Sequence, residues 1–320
     1  NWPRKGTEIA VAFVFPGQGS QAVGMGKALV ETFPAARAVF DEVDNALGEK
    51  LSATIFEGPA DKLMLTENAQ PALMAVSLAA MRVLEGEAGV DLKRDATFVA
   101  GHSLGEYSAL AAAGAFSIGD AARLLRTRGL AMQKAVPVGT GAMAALLGLD
   151  FAQSVSVASE AAQGGVCQAA NDNGGGQVVV SGDKAAVERA VELAKAKGAK
   201  RAMLLPVSAP FHCALMQPAA DVMAQALRQV KVNAPVVPVV SNVRVQPLSD
   251  PAQIIDALVA QVTGTVRWRE DVEFMANEGI DRFYEVGAGK VLSGLIKRIA
   301  ANATGKSIGS PDDVAAFKAG

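Results

Sequence analysis

Gly101-His102-Ser103-Leu104-Gly105 follows an apolar, partly β-branched run, 96–100, and precedes a run of helix-forming residues, 106–113. The order strand, Gly-x-Ser-x-Gly, helix is the context of a nucleophile elbow, a tight turn that exposes the serine hydroxyl. In such a turn we expect the N–H groups of Ser103 and Leu104 to point together from a helix N-terminus, where partial positive charge stabilises an oxyanion. The stretch therefore predicts a catalytic serine in an α/β fold, with a structural Gly/Ser turn as the alternative.

Composition limits the class of protein to which such a turn can belong. The chain has 320 residues, 50% of them hydrophobic, and a formal net charge of −2, which argues against a partner held by nucleic-acid phosphates. No apolar run reaches the length of a membrane span, and residues 1–8 lack the core of a signal peptide. Two cysteines and two histidines make a disulfide framework or a zinc site unexpected. We expect a cytoplasmic enzyme without a metal, a membrane or a nucleic-acid partner.

The first strand, predicted over 9–15, runs into Pro16-Gly17-Gln18-Gly19-Ser20-Gln21. Gly17-x-Gly19-x-x-Ala22 fits a relaxed dinucleotide fingerprint, which requires a second strand ending in an acidic residue about twenty positions later. Residues 33–47 instead show a helical period, so nucleotide binding stays only as an alternative. The turn can also bring a backbone N–H and the side chain of Gln18 to a reacting centre.

Two further helices are predicted on either side of the elbow. Residues 70–84 form a helix with Pro71 in its first turn, and no chemistry follows from its spacing. Residues 120–135 form a helix in which Arg128 lies in the middle of an apolar stripe. A buried ion pair or a side chain that extends to water would explain such an arginine, and so would a pocket that binds a substrate carboxylate. The stripe consists of Ala121, Leu124, Leu125, Ala131 and Met132.

Residues 142–207 show the order β-α-β-β-α-β of a ferredoxin-like unit, with a Gly/Asn loop expected over 171–176. We expect a small subdomain over 141–207. Residues 1–140 and 208–320 then form a discontinuous large α/β domain. The tail from Ala303 is poor in apolar residues and is expected to fray.

His212 lies on the connection that returns to the large domain, in Ser208-Ala209-Pro210-Phe211-His212. It follows the elbow serine in chain order, as the histidine does in elbow hydrolases. A lone loop histidine is more often structural, but only His102 and His212 are present in this chain.

Four motifs in order resemble those of the malonyl-CoA:acyl carrier protein transacylase family. They are Pro16-Gly17-Gln18-Gly19-Ser20-Gln21, Gly101-His102-Ser103-Leu104-Gly105-Glu106, Thr127-Arg128-Gly129 and Phe211-His212. The resemblance covers nearly the whole chain. It implies an α/β-hydrolase-like domain with a mostly parallel sheet and a ferredoxin-like insert.

The same resemblance implies a role for each matching residue. Ser103 is the nucleophile and His212 the base, while Gln18 and the N–H of Leu104 form the oxyanion site. Arg128 matches the arginine that binds the malonyl carboxylate. Gln261 matches the residue whose backbone carbonyl orients the histidine, and Phe211 the residue that favours malonyl over branched extender units.

The implied reaction transfers malonyl from malonyl-CoA to the phosphopantetheine thiol of acyl carrier protein through a malonyl-serine, for fatty-acid synthesis. Coenzyme A enters as part of the substrate, and no cofactor is expected. A serine hydrolase or thioesterase, which uses the same elbow with water as acceptor, is the competing interpretation.

Overall fold

A computed structural model describes residues 10–207 and 209–320, so Ile9 of the predicted first strand and Ser208 lie outside the described residues. The chain forms a mostly parallel sheet between helices and a separate antiparallel sheet. The predicted fold class, an α/β-hydrolase-like domain with a ferredoxin-like insert, is confirmed.

The strands of the described chain belong to two sheets. In chain order they are β1 Val11–Phe15, β2 Phe98–Gly101, β3 Gly141–Leu147, β4 Cys167–Gly174, β5 Gln177–Asp183, β6 Arg201–Leu204, β7 Val239–Val240, β8 Pro247–Leu248, β9 Arg282–Val286 and β10 Thr304–Ile308.

The helices cover both faces of the larger sheet and one face of the smaller. They are α1 Lys27–Thr32, α2 Pro34–Leu47, α3 Leu51–Glu57, α4 Ala60–Met64, α5 Thr66–Ala88, α6 Leu92–Asp95, α7 Gly105–Ala112, α8 Ile118–Lys134, α9 Phe151–Ala162, α10 Lys184–Ala196, α11 Gln217–Arg228, α12 Pro251–Thr263, α13 Trp268–Asn277, α14 Val291–Ile299 and α15 Pro311–Ala319, with a short 3₁₀ turn at Ala214–Met216.

The larger sheet has the strand order β10-β9-β1-β2-β7-β8, and all its pairs are parallel except β7 with β8. Every residue of β1 and β2 is buried, as expected of central parallel strands that are covered on both faces. In open parallel sheets, ligands bind beyond the carboxyl ends of such strands. The elbow follows β2 at that edge of the sheet, next to the loop that follows β1.

The smaller sheet has the order β4-β5-β3-β6 with antiparallel pairs, and α9 and α10 pack on it. The stretch 171–176, predicted as a loop, is instead strand through Gly174. Its polar residues are buried by distant partners: Asp172 pairs with Arg269, and Asn171 bridges to Val266. Local polarity therefore gave the wrong prediction there. The domain bounds at 141 and 207 stay a prediction.

The prediction of a frayed tail after Ala303 is also wrong. β10 pairs with β9 through backbone hydrogen bonds and, as an edge strand, needs few apolar side chains. Ser310 caps α15, and Phe317 packs edge-on against Tyr284 of β9 at 5.0 Å between ring centroids.

Across the described residues, none of the helices is long and apolar enough to cross a membrane.

Candidate active site

The elbow places Ser103 in a left-handed backbone conformation, with φ of 55° between β2 and α7. Such a conformation is costly for a residue with a Cβ and is typical of functional sites. The flanking glycines permit the turn, because a Cβ on Gly101 would lie 1.9 Å from the carbonyl oxygen of Gly105. A Cβ on Gly105 would lie 2.3 Å from the carbonyl oxygen of Phe15, at the end of β1. The spacing of the motif thus follows from the close approach of β1, β2 and α7.

His212 meets the elbow from the opposite side of the site. Its Nε2 lies 2.7 Å from Ser103 Oγ, and its Nδ1 lies 2.8 Å from the backbone carbonyl of Gln261. A carbonyl only accepts hydrogen bonds, so Nδ1 carries the proton and the lone pair of Nε2 faces the serine hydroxyl. His212 also has a left-handed φ of 55°, so both partners of this hydrogen bond sit in strained backbone.

Two effects keep His212 uncharged. Burial lowers its pKa, the charge of Arg128 lowers it further, and the hydrogen bond to Gln261 opposes them only in part, so that the pKa falls to about 3. A neutral imidazole with an unprotonated Nε2 is the form that accepts a proton from a hydroxyl.

Arg128 reaches the same hydroxyl from α8. One terminal nitrogen donates to Ser103 Oγ at 3.2 Å and to Gln261 Oε1 at 2.8 Å, and the other donates to Gln70 Oε1 at 2.8 Å. The side chain is 1% exposed, and all of these acceptors are neutral. The arginine of the predicted apolar stripe is therefore a buried cation next to the nucleophile, and none of the described carboxylates bonds it directly.

Close packing of α8 on α5 brings Arg128 to Gln70. A Cβ on Gly129 would lie 2.6 Å from Glu67 Cα, so the glycine after the arginine permits this approach. The helix α5 begins at Thr66, four residues earlier than predicted, and Pro71 lies in its interior. Pro71 leaves the carbonyl of Glu67 without its helical donor, and Arg126 Nε supplies one at 2.8 Å. Gln70 was not identified from the sequence, because its partner is 58 residues away.

A cavity of about 360 Å³ opens in front of Ser103. Gln18, Arg128, Phe211 and His212 line it together with Ser103. Its remaining walls are mostly apolar and include Met64, Leu65, Met132, Met143, Val179, Leu205 and Val207. The structure therefore brings the predicted side chains of Ser103, Gln18, Arg128, Phe211 and His212 to one cavity. Its walls come from the helices and loops around the larger sheet and from the smaller sheet.

One of the two N–H groups of the elbow differs from the prediction. That of Ser103 donates to Asn242 Oδ1 at 2.9 Å and so is not free for an oxyanion. That of Leu104, at the N-terminus of α7, has no acceptor among the described residues, and neither has the backbone N–H of Gln18. Gly17 packs on the carbonyl of His102, which places the Gln18 loop against the elbow. The prediction that the Ser103 N–H faces an oxyanion is thus wrong, whereas the roles of the Leu104 and Gln18 N–H groups stay a prediction.

A buried polar network behind the elbow was not predicted. Gln261 Nε2 donates to Ser103 O at 3.0 Å and to Glu106 Oε2 at 3.1 Å, so its side chain takes part as well as its carbonyl. Asn242 N–H donates to Glu106 Oε1 at 2.5 Å, and Asn242 Nδ2 donates to Asp271 Oδ2 at 3.0 Å. Burial raises the pKa of Glu106 to about 8 and that of Asp271 well above its usual range. Glu106 lies in the first turn of α7, where an acidic residue is common, so no local pattern in the sequence indicated this network.

Neither Gly-rich turn forms a nucleotide site. The loop with Gly17 and Gly19 does not open a helix directly, since α1 begins at Lys27, so it lacks the helix N-terminus of a dinucleotide site. After the turn Gly287-Ala288-Gly289, the backbone N–H groups of Leu292 and Ser293 at the start of α14 donate to the carboxylate of Glu285. In the part of the chain that the structure describes, no group of three or more His, Cys, Asp or Glu is arranged to hold a metal ion.

Comparison with known proteins gives consistent matches over almost the whole chain. The model of the acyl transferase domain family matches residues 12–307. The malonyl CoA-acyl carrier protein transacylase of Escherichia coli strain K12 is 50% identical over 305 residues, which is 95% of this chain and 97% of that protein.

Solved structures agree with these sequence matches. The acyl-carrier-protein-S-malonyltransferase from Bartonella henselae is 59% identical and superposes with a TM-score of 0.94, covering 96% of this chain and 98% of that one. A malonyl-transacylase in complex with its type II PKS acyl-carrier protein is 43% identical and superposes with a TM-score of 0.93. The match covers 97% of this chain and 99% of that one.

Proposed function

Since the chain belongs to the malonyl-CoA:acyl carrier protein transacylase family of acyl transferases, we propose that it moves malonyl from coenzyme A to the phosphopantetheine thiol of acyl carrier protein, supplying fatty-acid synthesis. One observation carries the proposal: the Ser103 hydroxyl is in hydrogen-bond contact with a neutral base and with a buried guanidinium at once. A serine, a base and a cation at these distances fit a thioester that also bears a free carboxylate.

Acylation begins when Ser103 Oγ attacks the thioester carbonyl of malonyl-CoA. His212 Nε2 takes the hydroxyl proton, and the resulting imidazolium is held by the carbonyl of Gln261. The Leu104 and Gln18 N–H groups stabilise the oxyanion, and the proton then passes to the coenzyme A sulfur as it leaves. No acidic residue contacts His212 among the described residues, so the reaction runs on a dyad with a carbonyl in place of a triad acid.

The malonyl carboxylate is bound by Arg128. Its guanidinium lies one hydrogen bond from Ser103 Oγ, which matches the single methylene between the two carbonyl carbons of malonyl. Gln70 and Gln261 fix the plane of the guanidinium. An acetyl group offers no charge to this buried cation, so the arginine selects malonyl. Phe211, next to His212 on the cavity wall, restricts bulk on the acyl chain.

The second half of the reaction delivers malonyl to a thiol. His212 removes the proton of the phosphopantetheine thiol, the sulfur attacks the acyl-serine carbonyl, and Ser103 leaves with that proton. The coenzyme A thioester is a substrate, and the chain's own side chains supply the remaining chemistry without a cofactor. We place the enzyme in the cytoplasm, where its two buried free thiols suit a reducing environment, and we assign it no nucleic-acid or membrane partner.

A serine hydrolase with the same elbow would hand the acyl group to water. We expect the malonyl-enzyme to react with a phosphopantetheine thiol at least about 10²-fold faster than with water, because the apolar cavity positions the acceptor and limits water. The measurement is the decay of isolated malonyl-enzyme, followed by intact mass, with and without holo acyl carrier protein. Loss of the malonyl group at the same rate in both samples would instead assign a thioesterase.

The pH dependence of acylation tests the state of His212. An ordinary histidine titrates near pH 6.5, but here the pKa is about 3, so the base stays neutral in mildly acidic solution. We expect kcat/KM for malonyl-CoA, which reports the free enzyme, to stay level from about pH 7 down to about pH 5. A fall of kcat/KM to half its value near pH 6.5 would contradict the lowered pKa of His212.

The same pKa shift has a consequence for stability. The unfolded chain binds a proton at this histidine below about pH 6.5, whereas the native chain does so only near pH 3. The contribution of His212 to the free energy of unfolding therefore falls as pH drops through this window. Circular dichroism across the pH series confirms that the measured rates belong to folded enzyme.

A further inference from the structure

Asn242 lies just beyond the last residue of β7, beside the elbow rather than in the cavity. β7 pairs in parallel with β2 through Val240 and Ala100, so Asn242 continues past the end of the ladder. Beyond the last backbone pair of β7 and β2, the side-chain amide of Asn242 forms the hydrogen bonds to the neighbouring chain. Nδ2 donates to the carbonyl of Gly101 at 2.7 Å, and Oδ1 accepts from the N–H of Ser103 at 2.9 Å.

These two hydrogen bonds hold the two successive peptide units on either side of His102, where the chain turns. Gly101 and Ser103 flank His102, and between them the chain changes from extended to left-handed backbone. A left-handed serine persists only where its surroundings hold it. The Asn242 amide bonds the backbone on both sides of this change, as a neighbouring strand would.

The amide itself is held by buried partners on other elements. The backbone N–H of Asn242 donates to Glu106 of α7. Of the side-chain atoms, Nδ2 also donates to Asp271 of α13, and Oδ1 also accepts from Gln261 of α12 at 3.0 Å. Asn242 is 0% exposed. In the described structure Asn242 forms no hydrogen bond with Arg128 or His212, and its direct bond to a reacting residue is the one to Ser103, with Gln261 as the shared neighbour of all three.

We infer that Asn242 is a positioning residue that holds Ser103 in its left-handed conformation and thereby sets the distance from Ser103 Oγ to His212 Nε2. The inference rests on the proposed function, because it concerns the acylation step of the same site. It also accounts for the orientation of the oxyanion donors: by engaging the N–H of Ser103, Asn242 leaves that of Leu104 as the free elbow donor.

The test is single-turnover acylation of the Asn242→Ala enzyme with malonyl-CoA and acetyl-CoA. A displacement of about 1 Å at a reacting atom costs about 10²-fold in rate, so we expect that loss for both thioesters, with an unchanged malonyl-to-acetyl ratio. The amplitude counts folded active sites, and the rate constant describes each of them. A merely structural asparagine would lower the amplitude and leave the rate constant unchanged, which would overturn the inference.

Two further variants make the result decisive. Asn233→Ala removes an asparagine whose side chain also bonds a backbone carbonyl, that of Gly114, and is expected to acylate at the normal rate. Asn242→Asp keeps an acceptor for the Ser103 N–H but turns an oxygen toward the carbonyl of Gly101, so we expect at least about a tenfold loss. If Asn242→Ala does not fold, a normal rate in Asn242→Asp overturns the inference. A wild-type enzyme that forms no malonyl-enzyme would overturn the proposed function instead.

Discussion

Replacing Ser103 with alanine is expected to abolish malonyl-enzyme formation and to lower turnover by roughly 10⁴-fold or more, since removal of a serine nucleophile has effects of this size in other enzymes. The reason is that the hydroxyl is the nucleophilic group and contacts both His212 and Arg128. The variant is expected to fold, because alanine retains the backbone bonds from Ser103 N–H to Asn242 and from Gln261 to Ser103 O. Steady-state transfer from malonyl-CoA to holo acyl carrier protein measures the effect.

Ser108→Ala is the matched control for this change. Ser108 is a buried serine of the elbow helix α7, and its hydroxyl has no hydrogen-bond partner among the described residues. We expect this variant to transfer malonyl normally. A Ser103→Ala enzyme that still gains the mass of a malonyl group would show that another residue is the nucleophile.

The second large effect is expected at Arg128, and it concerns selectivity. Leaving one partner of a desolvated charged pair without the other costs on the order of 3–5 kcal/mol, or roughly 10²–10³-fold or more. Arg128→Ala should therefore lower kcat/KM for malonyl-CoA by this factor. Acetyl transfer should change little or rise, because the arginine also donates to Ser103 Oγ and its removal frees that lone pair.

The control is Arg126→Ala, which removes an arginine of the same helix whose side chain bonds the carbonyl of Glu67. Some loss of stability is expected there, without a change in the malonyl-to-acetyl ratio. The measurement is kcat/KM for malonyl-CoA and for acetyl-CoA in each variant. An equal fall for malonyl and acetyl in Arg128→Ala would make the arginine a structural residue and leave malonyl selection unexplained.

Local patterns in the sequence were sufficient to predict the elements that form the site. The elbow, the stripe with Arg128 and the βαββαβ order each depend on residues close together in the chain, where hydrophobic periodicity and turn chemistry are strong. The family resemblance then implied roles for Gln18, Phe211 and Gln261, which periodicity alone did not.

The missed features depend on partners distant in sequence. Gln70 meets Arg128 across 58 residues, and Asn242 meets Ser103 across 139, so neither leaves a local pattern. Polar stretches gave the wrong prediction for the same reason. Asp172 reads as a loop residue but is buried in β4 by Arg269, and β10 is held by backbone pairing that needs no apolar side chains.

The orientation of the elbow amides was wrong for a related reason. From the motif alone, the N–H groups of Ser103 and Leu104 appeared equivalent at the helix N-terminus. The neighbouring strand decides between them, because Asn242 accepts a hydrogen bond from one and leaves the other free.

The most direct test of the account is the intact mass of the enzyme after brief exposure to an equimolar mixture of malonyl-CoA and acetyl-CoA. The account predicts one added malonyl group on nearly every molecule, little acetyl adduct, and localisation of the malonyl group to Ser103 by peptide mapping. An unmodified protein, an acetyl adduct of equal abundance, or a malonyl group on another residue would contradict it.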